Sequence, residues 1–265
     1  AHAGLYANPA RVRHVRHEGA QYRLDAPHLV EPSPQRTPVL FQAGASDRGR
    51  RFAARHAECV FVNGGAKPAV AQLVADLRAR AAERPLKVLV GATLVVGRTE
   101  AEARDLLEDY RRHASVEGAL AHASASLGID FARYGMDEPI EAGPTQAIQS
   151  NVEAAKRAAG PVWTKRKLID QFVLGSRQPP IVGSAEQVAE ALIRWVEETD
   201  VDGFNLSRTV VPECLEAVVE RVVPVLQERG AFKHAYAPGT FREKLFGAGP
   251  RLASPHPAAG YRFPA

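Results

Sequence analysis

Residues 37–65, TPVLFQAGASDRGRRFAARHAECVFVNGG, constrain this chain most. An uninterrupted apolar run, Val39-Leu40-Phe41, leads to a turn at Gly44 and a helix-starting Ser46. A short helix to about Ala57 and a second apolar run, Cys59-Val60-Phe61-Val62, complete a strand–turn–helix–strand unit. Such units build parallel sheets, and runs apolar at every position suit strands covered on both faces.

The turn Ala43-Gly44-Ala45-Ser46 joins the carboxyl end of a strand to a helix N-terminus. Free backbone N–H groups and the positive end of the helix dipole meet there, a combination that favours a phosphate. Gly44 allows a sharp turn and a close ligand approach. Ser46 either caps the helix or gives its hydroxyl to a phosphate oxygen, and the residues alone leave both readings open. Asp47 opposes an anion here, whereas Arg48, Arg50 and Arg51 favour one. Gly44-Ala45-Ser46-Asp47-Arg48-Gly49 is one residue too long for a G-x-S-x-G nucleophile elbow. It is neither G-x-G-x-x-G nor a P-loop.

The same alternation continues downstream. A helix is expected over about 68–83, with Val70, Leu73, Val74 and Leu77 on one face. Leu86–Val96 reads as a third buried strand, with Gly91 a bulge or a point of ligand approach. Thr99-Glu100-Ala101-Glu102 and Ser184-Ala185-Glu186-Gln187 are capping boxes. Residues 203–207 form a fourth strand, followed by a long helix from Pro212 with Leu215, Val218, Val219, Val222 and Leu226 inward and a kink at Pro224. About 115–180 departs from the repeat as an insertion, with helices near 116–127, 145–159 and 165–173. Residues 231–265 read as an extended tail that wraps a surface. Before the first unit, 12–17 and 21–24 suggest a hairpin, and His14 and His17 have H-x-x-H spacing without a third ligand nearby. The basic run 165–167 reads as a solvated helix face.

Four strong buried strands near 38–43, 58–63, 86–96 and 203–207 fall short of a complete eight-stranded barrel, although 265 residues would permit one. A net charge of +4 gives no reason to expect nucleic acid, and no apolar run approaches the roughly 18 residues of a membrane span. Two cysteines make no disulfide scaffold, so a reducing cytoplasm is expected. The only methionine is Met136, which suggests a processed product or a fragment.

QAGASDRGRRFAARHAECVF, PVWTKRKLIDQF, PPIVGSAEQVAEALIRWVEETDVDGFNL and PGTFREKLFG, in that order, resemble the large subunits of two-component flavin-dependent monooxygenases of the bacterial luciferase-like superfamily. The branch is that of nitrilotriacetate monooxygenase component A, dibenzothiophene-sulfone monooxygenase and pristinamycin synthase. The resemblance implies an α/β fold, a (β/α)8 TIM barrel. Residues 1–265 would be the C-terminal part of that one domain, strands five to eight. It also implies FMN as cofactor, taken up as FMNH2 from a separate, transiently bound reductase that uses NADH or NADPH. Oxygen would add to the flavin to give a C4a-(hydro)peroxide, from which one atom passes to a small organic substrate. Ser46, with the Gly44 and Ala45 amides, would hold the flavin phosphate, and Gln42 would lie near the ribityl chain. Asn205 and Arg208 fall on the catalytic face by barrel logic. A homo-oligomer is expected; no metal, nucleic acid or membrane is. Two alternatives stand beside this reading: an inactive flavin- or partner-binding half-barrel, and another phosphate-ligand barrel enzyme.

Overall fold

The computed structural model describes residues 4, 6–28, 30, 33–141, 152–153, 155–156, 160, 162–175 and 178–261. Its centre is a parallel sheet of five strands among the described residues: β3 (Phe41–Ala43), β4 (Cys59–Val62), β5 (Lys87–Gly97), β6 (Ile181–Ser184) and β7 (Gly203–Ser207). A separate antiparallel hairpin, β1 (His14–Glu18) and β2 (Arg23–Pro27), precedes it. There His14 Nδ1 lies 2.8 Å from Asp25.

The four strands expected from the sequence are present and adjacent in the expected order, β3-β4-β5-β7. The count was one short. β6 is only four residues, IVGS, behind Pro179-Pro180, and its last residue is the cap of the next helix. It pairs with the far end of β5, Leu94↔Ile181 to Gly97↔Ser184, while the near end of β5 pairs with β4 and β7. At eleven residues β5 is long enough to do both.

One face of the sheet is covered by helices. Val60, Val62, Val88 and Val90 pack against α1 (Asp47–His56) and α2 (Lys67–Ala81) through Ala53, Ala54, Val70, Val74 and Leu77. Farther along β5, Ala92, Leu94 and Val96 pack on α6 (Ala185–Thr199) and Val222. These strand residues alternate, so Phe41, Phe61, Leu89, Gly91, Gly203 and Asn205 share the opposite face. On that face Phe41 is 40% exposed and stacks on Phe61 with centroids 5.0 Å apart, whereas Cys59 and Thr93 are buried.

After α3 (Glu100–His113) the chain makes the expected excursion. α4 (Val116–Leu127) and α5 (Lys165–Phe172) enclose a cluster of their own, in which Ala123, Leu127, Phe131, Trp163, Leu168 and Phe172 are buried. The helix expected over 145–159 lies mostly outside the described residues; 152–153 and 155–156 are helical. The basic run at the start of α5 lies on an exposed helix face, as expected, and makes local surface bonds. Arg166 holds Asp137 with two 2.8 Å bonds, and Lys167 donates to the Val162 carbonyl at 2.8 Å.

The last long helix is segmented. α7 (Glu213–Ala217) passes through a π-helical turn, Val218–Val222, into α8 (Val223–Glu228). The turn precedes Pro224, where the distortion was expected; the Val223 N–H reaches back to the Val218 carbonyl. Leu215 and Val219 do not point inward: they are 43% and 63% exposed. A single stripe, Cys214-Val218-Val222 at i, i+4, i+8, faces the core, and Leu215 and Val219 lie on the neighbouring stripe.

The tail is not simply extended. Thr240 and Glu243 form a capping box that starts α9 (Phe241–Phe246). This helix returns to the amino ends of β3 and β4 and buries Arg242 against Glu58. His256 donates through Nε2 to the His56 carbonyl at 3.0 Å and accepts the Ala258 N–H on Nδ1, which sets its tautomer.

Candidate flavin-phosphate turn

The strand–helix turn stands at the carboxyl end of β3. Ser46 is the N-cap of α1, with β-region backbone (φ −65°, ψ 156°), and its Oγ accepts the Gly49 N–H at 3.1 Å. The capping reading is therefore realised. It leaves the hydroxyl proton of this exposed side chain available to an acceptor. The Ser46 carbonyl takes the Arg50 N–H at 2.8 Å, so the Asp47 and Arg48 N–H groups head the helix without an intrahelical acceptor.

The glycines of the turn leave room for their neighbours. A Cβ on Gly44 would come within 2.9 Å of the Gln42 side-chain nitrogen. One on Gly49 would lie 3.1 Å from both the Gly44 carbonyl oxygen and the Ser46 hydroxyl. The Gln42 amide thus folds back beneath the turn, and its Oε1 is buried without a hydrogen-bond partner among the described residues. Gly49, which the sequence reading used only to exclude a nucleophile elbow, fits the turn to the first coil of α1.

The charges sort themselves. Asp47, which weighed against an anion, is held by Arg51 at 2.9 Å and by Arg80 of α2 at 3.0 Å. Arg50 pairs with Asp76 at 3.0 Å. Arg48 is exposed and makes no ion pair among the described residues. The mouth of the turn therefore presents backbone N–H groups, one hydroxyl and one uncompensated cation. A buried amide oxygen without a partner, a glycine cradle and these donors fit a phosphate ester with a polar chain attached.

Asn205 and Arg208 are also exposed at the carboxyl end of the sheet, but they do not join the turn. In the order β3-β4-β5-β7 they stand three strand spacings away, about 14 Å. Asn205 lies opposite Gly91 in register. Over the same spot lies a residue absent from the sequence reading. A Cβ on Gly91 would meet the Gln178 amide nitrogen at 3.1 Å, and one on Gly64 would meet Gln178 Cγ at 3.2 Å and the Gly91 carbonyl oxygen at 2.5 Å. Gly91 was expected to be a bulge or an approach point; what approaches it is a side chain from the end of the helical excursion.

The family model described as luciferase-like monooxygenase matches residues 5–203. The chain is 37% identical over 267 residues to the dimethyl-sulfide monooxygenase of Hyphomicrobium sulfonivorans, covering 98% of this chain and 56% of that protein. It is 38% identical over 264 residues to the long-chain alkane monooxygenase of Geobacillus thermodenitrificans, covering 97% and 56%. A crystal structure of riboflavin lyase with modified FMN and riboflavin superposes with a TM-score of 0.84 at 36% identity, over 99% of this chain and 59% of that one. The chain spans about half the length of the curated relatives it matches. Most of its residues match the family model, and close to its whole length aligns with those relatives at well over 30% identity: it belongs to the luciferase-like monooxygenase family.

Proposed function

We propose that this chain is the phosphate-binding part of an FMNH2-dependent monooxygenase that inserts one oxygen atom of O2 into a small organic substrate. One observation carries the reading: in a chain of this family, a capped helix N-terminus, a glycine cradle and an orphaned amide oxygen converge at a strand's carboxyl end. Reduced FMN supplies the oxygen-activating chemistry when bound. The chain's own residues bind and orient it. Ser46 Oγ keeps its lone pair on the Gly49 N–H and donates its proton to a phosphate oxygen. The Asp47 and Arg48 N–H groups and the Arg48 guanidinium complete the anion site. Gln42 Oε1 accepts a hydroxyl from the ribityl chain. Strands β3, β4, β5 and β7 serve as the fifth to eighth of the barrel, and the rest of the protein supplies the others. A separate reductase, drawing on NADH or NADPH, delivers the reduced flavin.

The test uses the full-length protein and two ligands, FMN and riboflavin, which differ by the phosphate. Ser46→Ala should weaken FMN binding by about 1–2 kcal/mol and leave riboflavin unchanged. Ser46→Asp, which keeps a cap but opposes an anion, should fold normally and bind FMN still more weakly. Equal FMN affinity in all three proteins would sink the assignment.

A further inference from the structure

We propose that the cleft between α3 and α7, over the far end of β5, is a binding site for a short primary alkylammonium ion. The inference stands apart from the functional reading above, because the cleft shares no residue with the phosphate turn.

Three observations carry it. First, the space is small and has an apolar wall. A cavity of about 170 Å³ lies between the two helices, with Leu94 and Val96 of β5, Leu106 of α3 and Ala217 of α7 along it. That is below the roughly 300 Å³ of a drug-sized site, so it suits a chain of a few carbons. Second, the polar side is anionic. Glu213, Glu216 and Glu220 follow one another at i, i+3 and i+7, and all three border the cavity. Glu213 accepts the Tyr110 hydroxyl at 2.9 Å. Glu216 and Glu220 make no hydrogen bond or ion pair among the described residues. The nearby cations are engaged elsewhere. Arg98 binds Glu102 at 2.9 Å, and its bonds, with a weaker pull from Arg221, hold that carboxyl below its usual range. Third, a buried group without a partner faces the space. Cys214 is 9% exposed, lines the cavity and carries a free thiol with no hydrogen bond among the described residues. The thiol lies close to Tyr110: burial, the bond to Glu213 and the charge of a Cys214 thiolate all push the phenol up. Tyr110 therefore keeps its proton, and its bond to Glu213, at neutral pH.

The chemistry of the cleft selects among small cations. A primary ammonium head brings one charge and three N–H donors, which the free carboxylates of Glu216 and Glu220 match, with the Cys214 sulfur as a further weak acceptor. Its alkyl tail covers the apolar wall. A quaternary ammonium has the charge without the donors, and an alcohol has the tail without the charge. The wall also runs into the π-helical turn Val218–Val222, a distortion that recurs at functional sites.

The experiment uses the full-length protein at about 0.15 M salt, which screens diffuse attraction between exposed charges. The probes are n-butylammonium, 1-butanol and tetramethylammonium. Binding is followed by ligand-observed NMR in the wild type, the double variant Glu216→Gln with Glu220→Gln, and Ala217→Leu. Both glutamates are exposed and unpaired among the described residues, so the double variant should unfold at the wild-type temperature. The wild type should prefer butylammonium to the other two probes. The double variant should weaken butylammonium roughly tenfold and leave butanol unchanged. Ala217→Leu, which fills the cavity, should weaken butylammonium and butanol alike. FMN affinity should stay within twofold in all three proteins. A wild type that does not bind butylammonium, or a double variant or Leu variant that binds it equally well, overturns the proposal. Tetramethylammonium bound as tightly as butylammonium would mean general attraction to an acidic surface and overturns it too. A larger change in FMN affinity would make the cleft part of the flavin site and overturn its independence.

Discussion

Arg242 in the last helix closes a clamp on Glu58 at the start of β4. Its two terminal nitrogens each donate to one carboxylate oxygen, one bond measuring 2.6 Å, and both residues are buried. The guanidinium also donates to the Pro38 carbonyl at 2.8 Å and the Thr37 carbonyl at 3.1 Å, and Glu58 accepts the Leu40 N–H at 3.1 Å. The pair fastens the tail to the lead-in of β3.

Removing one member leaves the other charged and buried. Arg242→Met or Glu58→Gln should each destabilise the protein by about 3–5 kcal/mol, whereas the double variant should cost less than the sum. Urea denaturation of the four proteins measures this; additive losses would show that the two groups do not act as a pair.

Gly97 ends β5 against the next helix. A Cβ there would lie 2.4 Å from the Ala103 amide nitrogen and 2.7 Å from the Thr99 carbonyl oxygen, both backbone atoms with little freedom to move. Gly97→Ala should lower stability by about 2 kcal/mol or more. Gly65→Ala is the control: nothing lies within 4 Å of its Cβ position, so it should be neutral or gain up to about 1 kcal/mol. Thermal unfolding of both variants separates crowding from a general intolerance of change.

Burial, reinforced by the neighbouring Glu58 carboxylate, pushes the Cys59 thiol up to about 11. Between pH 9 and 11 the folded chain keeps a proton that the unfolded chain releases. The contribution is therefore complete below about pH 9 and declines as pH rises through 11, by about 2–3 kcal/mol. Cys59→Ala should show a shallower loss of stability over that interval. An identical slope in the two proteins would contradict the shift.

The exposed end of the sheet sets a further expectation. Phe41 and Phe241, stacked with centroids 6.5 Å apart, are both substantially exposed. Under the proposed function residues 1–265 by themselves should self-associate and bind a hydrophobic dye, and should do neither once the other barrel strands are supplied. Sedimentation velocity decides; a monodisperse, dye-silent segment would mean that its apolar face is already covered.

The parts legible in the sequence were those whose signal is local. Val39–Phe41, Cys59–Val62 and Leu86–Val96 announce buried strands by apolar continuity, and Ser46, Thr99 and Ser184 announce helix starts by their caps. β6 carried no comparable run because its burial comes from lying against a strand far away in sequence. The phosphate turn was visible because a glycine, a cap and a helix start are neighbours in the chain. Gln178 was not, since its position is defined by the absence of side chains at Gly64 and Gly91. Arg242 carried no local signal: nothing near it in the chain reveals Glu58. Leu215 and Val219 misled because two adjacent apolar stripes on one helix look alike until a neighbour selects between them.

The split pairing of β5 makes the excursion a cassette. The chain departs from the sheet at Gly97 and returns at β6, where Ser184 is paired with Gly97 itself, so departure and return share one doorway. A segment whose ends coincide can lengthen, shorten or be exchanged whole at only a logarithmic entropic cost, and the registers of β3, β4 and β7 need not move. Gln178 hangs just inside that doorway, so a new cassette would bring a new side chain to Gly91 and leave the phosphate turn as it is.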